Sequence, residues 1–130
     1  NIQFINLISE AHPPVMGVAT QWIQVFTNLI INAINASKGE RGSKIQFTDQ
    51  MTQQGRTLEI EIFDNGSGMD EQTLAQIFEP FFTTRGDQGG TGLGLPITRQ
   101  IIQRHGGQIS VRSKVGEGTS FTIALPVHAA

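Results

Sequence analysis

Hydrophobic residues recur at helical spacing in two stretches of the chain. Between Gln21 and Ser37 they fall three and four positions apart, which predicts a helix with one apolar face. A second apolar stripe begins after Pro96, which suits the first turn of a helix, and it stops at Gly106-Gly107. A shorter helix is predicted from Asp70 to Phe78, because Asp70 can cap its first turn. The apolar face of the first helix consists of Trp22, Phe26, Leu29, Ile30 and Ala33.

Alternation of apolar and polar residues predicts strands in the rest of the chain. Two candidate hairpins turn at Gln53-Gln54-Gly55 and at Gly116-Glu117-Gly118. The segment from Glu79 to Gly90 follows neither period, and its length is typical of a lid or binding loop. The candidate strands are Asn1–Glu10, Ile45–Asp49, Leu58–Phe63, Gln108–Ser113 and Ser120–Leu125. The pattern as a whole predicts a domain that mixes helices and strands.

A chain of 130 residues has the usual size of one domain with one core, so we expect a single domain over residues 1–130. Hydrophobic content of 38% with 15% charge excludes the disordered class, and a net charge of −2 provides no basic surface for nucleic acid or membrane. No apolar run reaches the roughly 18 residues that cross a bilayer, which favours a cytoplasmic domain. Without cysteine, thiol catalysis and cysteine metal sites are excluded. The chain begins at Asn1 rather than at methionine, so we expect a piece of a longer protein.

Amide side chains form a stripe along the first predicted helix. A helix face that only meets water normally carries lysine and glutamate, which are also better helix formers than asparagine. The carbonyl oxygen of an asparagine suits one position around Mg²⁺, whose other positions go to waters and phosphates. Capping of neighbouring loops by these amides explains the stripe equally well. The stripe consists of Gln21, Gln24, Asn28, Asn32 and Asn35.

Two further motifs have the chemistry of a nucleotide site. Asp64-Asn65-Gly66-Ser67-Gly68 follows a strand and presents a carboxylate that could accept a hydrogen bond from an exocyclic amine, although an ordinary turn is the simpler interpretation of this motif alone. The stretch from Gly89 to Leu95 opens the third helix, where free N–H groups favour phosphate. It has neither the lysine of a P-loop nor Rossmann spacing. A flexible linker is the alternative, but Leu93 and Leu95 are larger than linkers favour.

The order of the motifs is more specific than any one of them. In chain order they are Asn28-to-Asn32, Asp64-x-Gly66-x-Gly68, Phe78-Glu79-Pro80-Phe81, Gly90-Thr91-Gly92-Leu93-Gly94-Leu95 and Gly116-x-Gly118-Thr119. This set resembles the ATP-binding catalytic domain of bacterial sensor histidine kinases, and the Asn-Ala-Ile-Asn-Ala form is nearest to the nitrogen-regulation type. The resemblance implies the fold shared with DNA gyrase, MutL and heat-shock chaperone ATPases. That fold is an α/β two-layer sandwich, with a mixed, mostly antiparallel five-stranded sheet and three main helices on one face.

The resemblance also implies a ligand and a set of contacts. ATP and Mg²⁺ are the implied cofactors, with Asn32 as the metal ligand, Asp64 as reader of the adenine amino group and Thr119 at the adenine end. Many relatives have lysine and tyrosine where this chain has Asn35 and Ala36, so a cationic phosphate contact is missing. The implied nucleotide-binding positions are Asn28, Asn32, Asn35, Asp64, Gly66, Gly68, Met69, Arg85, Gly90, Thr91, Gly92, Leu93, Gly94, Leu95 and Thr119.

Residue 28 separates two reaction types within this resemblance. The related ATPases carry a glutamate there as general base, whereas this chain has an amide, which cannot take a proton near neutral pH. A neutral imidazole already has a nucleophilic lone pair, so we expect phosphoryl transfer to a histidine. His12, His105 and His128 do not fit the acceptor pattern. The alternatives are a regulatory nucleotide-binding module without transfer activity, and a gyrase-type ATPase.

The resemblance finally implies partners that this chain does not contain. The acceptor histidine would lie in a dimerisation domain that precedes Asn1 in the full protein, and a response-regulator receiver domain would act downstream. The domain itself would be cytoplasmic, whether or not the full protein is anchored in a membrane.

Overall fold

The computed structural model describes residues 2–6, 19–37, 42–52, 56–80 and 94–126. None of the helices within these ranges is long and apolar enough to cross a membrane. The helices are α1 (Ala19–Ser37), α2 (Glu71–Leu74) and α3 (Gly94–Arg104). The strands are β1 (Ile2–Asn6), β2 (Ser43–Thr52), β3 (Thr57–Asp64), β4 (Gln108–Lys114) and β5 (Gly118–Pro126).

The five strands form one mixed sheet in the order β1-β2-β3-β5-β4. β1 runs parallel to β2, while the other three pairs are antiparallel. The predicted mixed, mostly antiparallel five-stranded sheet is therefore confirmed. The second predicted strand, Ile45–Asp49, is longer than expected, because β2 pairs with β3 along its polar half as far as Thr52.

One face of the sheet packs against the helices and forms the core. Along β3 the side chains alternate, with Leu58, Ile60 and Ile62 buried and the residues between them half-buried. The first and third helices supply their apolar stripes to the same cluster, which also takes in β5. Each fully buried aliphatic side chain of this kind stabilises the fold by about 1.5–3 kcal/mol. The helical contributors are Val25, Leu29 and Ala33 from α1 and Ile101 and Ile102 from α3.

The second helix is much shorter than predicted. Asp70 caps it as expected, since its carboxylate accepts a hydrogen bond from the Thr73 N–H at 2.7 Å. Helical structure ends at Leu74 rather than Phe78. Beyond it the chain continues in turns with bonds between residues three apart, such as Glu79 N–H to Gln76 O at 2.9 Å. Pro80 disfavours a helical conformation of Glu79 and so limits any helix to the residues before it, but it does not account for the end at Leu74.

Candidate nucleotide-binding site

Asp64 is the last residue of β3, on the helix-covered face of the sheet. Its neighbour across the sheet is Thr119 of β5, and the two residues are only 3% and 4% exposed. One carboxylate oxygen accepts a hydrogen bond from the Gly66 N–H at 2.9 Å. Burial raises the pKa of Asp64 from 3.8 to about 6, and the bond from Gly66 acts in the opposite direction. The Asp-Asn-Gly segment is thus a real turn, and it also buries a carboxylate.

Asn65 attaches this turn to the neighbouring strand. Its side-chain oxygen accepts from the Lys44 N–H at 2.7 Å, and its amide nitrogen donates to the Gly42 carbonyl at 2.9 Å. Both polar atoms of one side chain therefore bond to the backbone at the start of β2. The turn that carries Asp64 is fixed in position by these bonds.

Ser113 extends the polar group at this end of the site, and sequence reasoning missed it. Across the sheet it lies opposite Thr119, and the two hydroxyl oxygens are 2.7 Å apart. Its oxygen also accepts from the Met69 N–H at 2.8 Å and lies 3.0 Å from the Gly118 carbonyl. Asp64, Thr119 and Ser113 thus form one row across three strands. The available signal was a serine in phase with the inward-facing Ile109 and Val111.

The glycines around this row are required by close backbone contacts. A Cβ on Gly66 would lie 2.6 Å from the Ala36 carbonyl oxygen, at the end of α1. Gly68 has a φ of +73°, and a Cβ there would overlap the Lys114 carbonyl oxygen. A Cβ on Gly118 would overlap the Asp64 carbonyl in the same way. These positions let the loop pack against α1 and the β4–β5 turn.

Asn28 forms the other end of the site, where α1 meets the first turn of α3. Its amide nitrogen donates to the Gly94 carbonyl at 3.3 Å and to the Thr98 hydroxyl at 3.1 Å. Thr98 in turn donates to the same carbonyl at 2.8 Å. One amide of the predicted stripe is therefore committed to the start of the helix that follows the glycine-rich loop. Sequence reasoning selected Asn28 and Gly94 but not Thr98.

α1 connects the two ends. Asn28 meets α3, while the Ala36 carbonyl accepts a bond from the Ser67 N–H at 3.3 Å beside the Asp64 turn. Eight residues of α-helix span about 12 Å, so an elongated ligand is required to reach both ends. Asn32 and Asn35 are half-buried on the helix between them.

The remaining predicted residues divide into two groups. Met69 and Leu95 are half-buried and pack against the hydrophobic core. Five positions of the glycine-rich loop and lid fall outside the described residues, so the structure does not place them: Arg85, Gly90, Thr91, Gly92 and Leu93.

Comparison with known proteins supports the resemblance. Residues 17–129 match the family model described as Histidine kinase-, DNA gyrase B-, and HSP90-like ATPase. Sporulation kinase E of Bacillus subtilis is 41% identical over 129 residues, which are 98% of this chain and 17% of that protein. The sensory histidine kinase/phosphatase NtrB of Rhodobacter capsulatus is 40% identical over 124 residues, which are 88% of this chain and 34% of that protein.

The fold comparison agrees with the sequence comparison. The catalytic domain of histidine kinase ThkA, in a nucleotide-free form, superposes with a TM-score of 0.79 at 32% identity. The match covers 96% of this chain and 80% of that one. The chain spans about a third or less of the two curated relatives just named. It belongs to the family of histidine kinase-, DNA gyrase B- and HSP90-like ATPase domains, on the side of the sensor histidine kinases.

Proposed function

We propose that this domain binds Mg²⁺-ATP between α1 and α3 and donates the γ-phosphoryl group to a histidine on a separate dimerisation domain. The observation that carries the proposal is the amide at position 28. Both of its described hydrogen bonds use the NH₂ group, so the side chain is held by α3 and has no basic atom to activate water. A histidine acceptor needs no such activation, because its own lone pair attacks the phosphorus.

The adenine end has the chemistry that a purine amine requires. An ionised Asp64 accepts a hydrogen bond from an exocyclic N–H, and Thr119 and Ser113 supply hydroxyls beside it. Burial of the carboxylate makes this bond selective, because a base without a donor at that point leaves the buried charge with only the bond from the protein's own backbone. We therefore assign Asp64, Thr119 and Met69 to the base, with Gly66 and Gly68 shaping the loop around it.

The phosphate end has donors that fit Mg²⁺. Amide oxygens are hard, neutral ligands, and Mg²⁺ usually combines one or two protein oxygens with waters and phosphates. Asn32, one turn from Asn28, is the residue that we assign to the metal. When bound, the ion neutralises charge on the phosphates during transfer. Gly94 and Leu95, together with Arg85 and residues 90–93, are assigned to the phosphates and the lid.

A regulatory nucleotide-binding module without transfer activity is the second candidate. One observation favours it: Asn35, where many relatives have lysine, is uncharged and half-buried, so α1 supplies no cation to the phosphates. Transfer then depends on Mg²⁺ and on residues outside α1 for charge stabilisation.

The proposed partners of the kinase are its dimerisation domain and a receiver domain, in the cytoplasm.

Trans-phosphorylation separates these candidates. The purified domain is incubated with Mg²⁺ and γ-labelled ATP, with and without a separately produced dimerisation domain from the full protein. We expect label on the acceptor histidine and very slow phosphate release by the domain alone. Measured ATP binding with a blank transfer assay would favour the regulatory module, and rapid phosphate release would favour a hydrolase. A matched acceptor with His→Gln is the control for nonspecific labelling.

A further inference from the structure

Thr98 is a fully buried polar side chain at the contact between α1 and α3. It is 0% exposed and lies one turn before the core residues Ile101 and Ile102. Its hydroxyl has two partners, since it donates to the Gly94 carbonyl and accepts from the Asn28 amide. A valine has nearly the same size and shape, so packing alone does not account for the hydroxyl.

The backbone fixes the polarity of this three-residue network. The Gly94 carbonyl can only accept, so the atom of Asn28 that faces it at 3.3 Å is the nitrogen. Thr98 spends its single hydrogen on the same carbonyl and must therefore accept from Asn28. Both hydrogens of the Asn28 NH₂ group are thereby used. The amide oxygen is the part of this side chain left for a ligand.

We propose that Thr98 is a positioning residue, which holds the Asn28 amide with its oxygen available, as a second ligand beside Asn32, to the Mg²⁺ of the bound nucleotide. This inference rests on the proposed function. Without the hydroxyl, only one bond, at 3.3 Å, distinguishes the two ends of the amide. The side chain can then turn over and present its NH₂ group to the ion. An amide NH₂ group does not bind cations. Thr98 acts through Asn28 and touches no substrate itself.

Magnesium-dependent binding tests the proposal. A non-hydrolysable ATP analogue is titrated into the full domain by calorimetry, once with excess Mg²⁺ and once with EDTA. For Thr98→Val we expect about tenfold weaker binding with Mg²⁺ and little change with EDTA, since residues that orient metal ligands typically contribute 10–100-fold to affinity. Thr98→Ser keeps the hydroxyl and should restore the wild-type ratio. Thr122→Val, on the outer face of β5, is the control for the same substitution elsewhere.

A double-mutant comparison separates positioning from stability. In an Asn28→Ala background, Thr98→Val should produce no further loss of the magnesium effect, because the residue through which it acts is gone. Equal losses with and without Mg²⁺, accompanied by a lower melting temperature, would instead show a structural role and overturn the proposal. Thr98→Ala also removes the hydroxyl, and we expect the same result from it. It replaces Thr98→Val in the test if the valine variant does not fold. If the wild-type domain fails to bind Mg²⁺-ATP at all, the proposed function is wrong. If the wild-type domain binds Mg²⁺-ATP and Thr98→Val binds it equally well, the inference is wrong but the proposed function stands.

Discussion

The two ends of the site are built in different ways. At the end that we propose for adenine, Asp64, Thr119 and Ser113 come from three paired strands, and close backbone contacts at Gly66 and Gly68 hold the loop around them. At the phosphate end, Asn28 and Thr98 bridge two helices through side-chain hydrogen bonds. The first end is fixed by strand register and steric contact, and the second by the direction of a few hydrogen bonds.

This difference determines what each end tolerates. A sheet register moves only in steps of one residue, and each step turns every side chain to the other face, so the adenine end is either intact or lost. A network of side-chain hydrogen bonds can lose or exchange one member while the backbone stays in place. The phosphate end can therefore vary in ligand preference without loss of the fold.

The largest expected effect comes from adding one methyl group to the loop at the adenine end. Gly68→Ala forces a side chain into a left-handed conformation and onto the Lys114 carbonyl, so we expect a loss of about 3 kcal/mol or more. Gly116→Ala is the matched control, because its φ is +82° but nothing lies within 4 Å of the added atom. It should lose only about 1–2 kcal/mol. Urea denaturation of both variants measures the difference, and equal losses would contradict steric control of this loop.

Removing the buried charge should stabilise the nucleotide-free domain. The pKa of Asp64 is 3.8 when unfolded and about 6 when folded, so the carboxyl group favours folding below pH 3.8 and loses that contribution as pH rises through 6. The amide introduced by Asp64→Asn does not ionise. We therefore expect the variant to be up to about 3 kcal/mol more stable than the wild type at pH 8 and almost equal to it at pH 4. Denaturation at the two pH values tests this.

Asp70 provides the control for that experiment, because its contribution to stability changes with pH in the opposite direction. The Thr73 N–H lowers the pKa of the exposed Asp70 carboxylate, so its contribution is lost as pH falls. Asp70→Asn should therefore leave the effect of Asp64 on the pH profile unchanged. A pH-independent Asp64→Asn effect would mean that its benefit does not come from charge burial.

Nucleotide affinity should fall in acid, because the adenine contact that we propose uses the ionised carboxylate of Asp64. Below pH 6 the free domain protonates Asp64, and affinity for ATP should decrease about tenfold per pH unit. The phosphates of ATP titrate in part of this range, so the Asp64→Asn titration supplies the baseline. That variant should bind more weakly at pH 8 and show a flatter profile between pH 5 and 8. Parallel profiles for the two proteins would remove Asp64 from the base-binding role.

The smallest effect is expected at the phosphate end. Asn28→Asp keeps the shape of the side chain but removes the NH₂ donor, which leaves a carboxylate against the Gly94 carbonyl. Because the site is only half-buried and Thr98 can redirect its hydroxyl, we expect a loss of about 1 kcal/mol. Thermal denaturation measures it, with Asn35→Asp on the same helix as the control. A loss of stability as large as that of Gly68→Ala would contradict the proposed difference between the two ends of the site.

Local periodicity predicted most of the elements and the face that each one buries. The alternation of β3 places Asp64 on the buried face, and the stripe of α1 identifies Asn28. It did not predict that β2 would continue through its polar half to Thr52, because this part is held by pairing with β3 rather than by an apolar pattern. Nor did it predict the early end of α2. Asp70 marks the start of this helix, but the sequence has no stop signal at Leu74.

The residues that were missed share a physical reason. Ser113 and Thr98 are ordinary polar residues by composition, and their importance comes from partners as far as 44 and 70 positions away in sequence. No local pattern contains that information. The family resemblance identified the motifs, but it described the glycines as room for a ligand, whereas Gly66 and Gly68 also accommodate the protein's own backbone.

The row of Asp64, Thr119 and Ser113 also has a consequence for folding kinetics. Asp64 comes from a central strand, and its two neighbours in the row belong to the β4–β5 hairpin, so the row exists only after that hairpin has docked on β3. A folding intermediate in which the β4–β5 hairpin is frayed lacks the row that we propose to bind the base. On that proposal nucleotide binds only the completed sheet, and it should slow unfolding while leaving the folding rate almost unchanged.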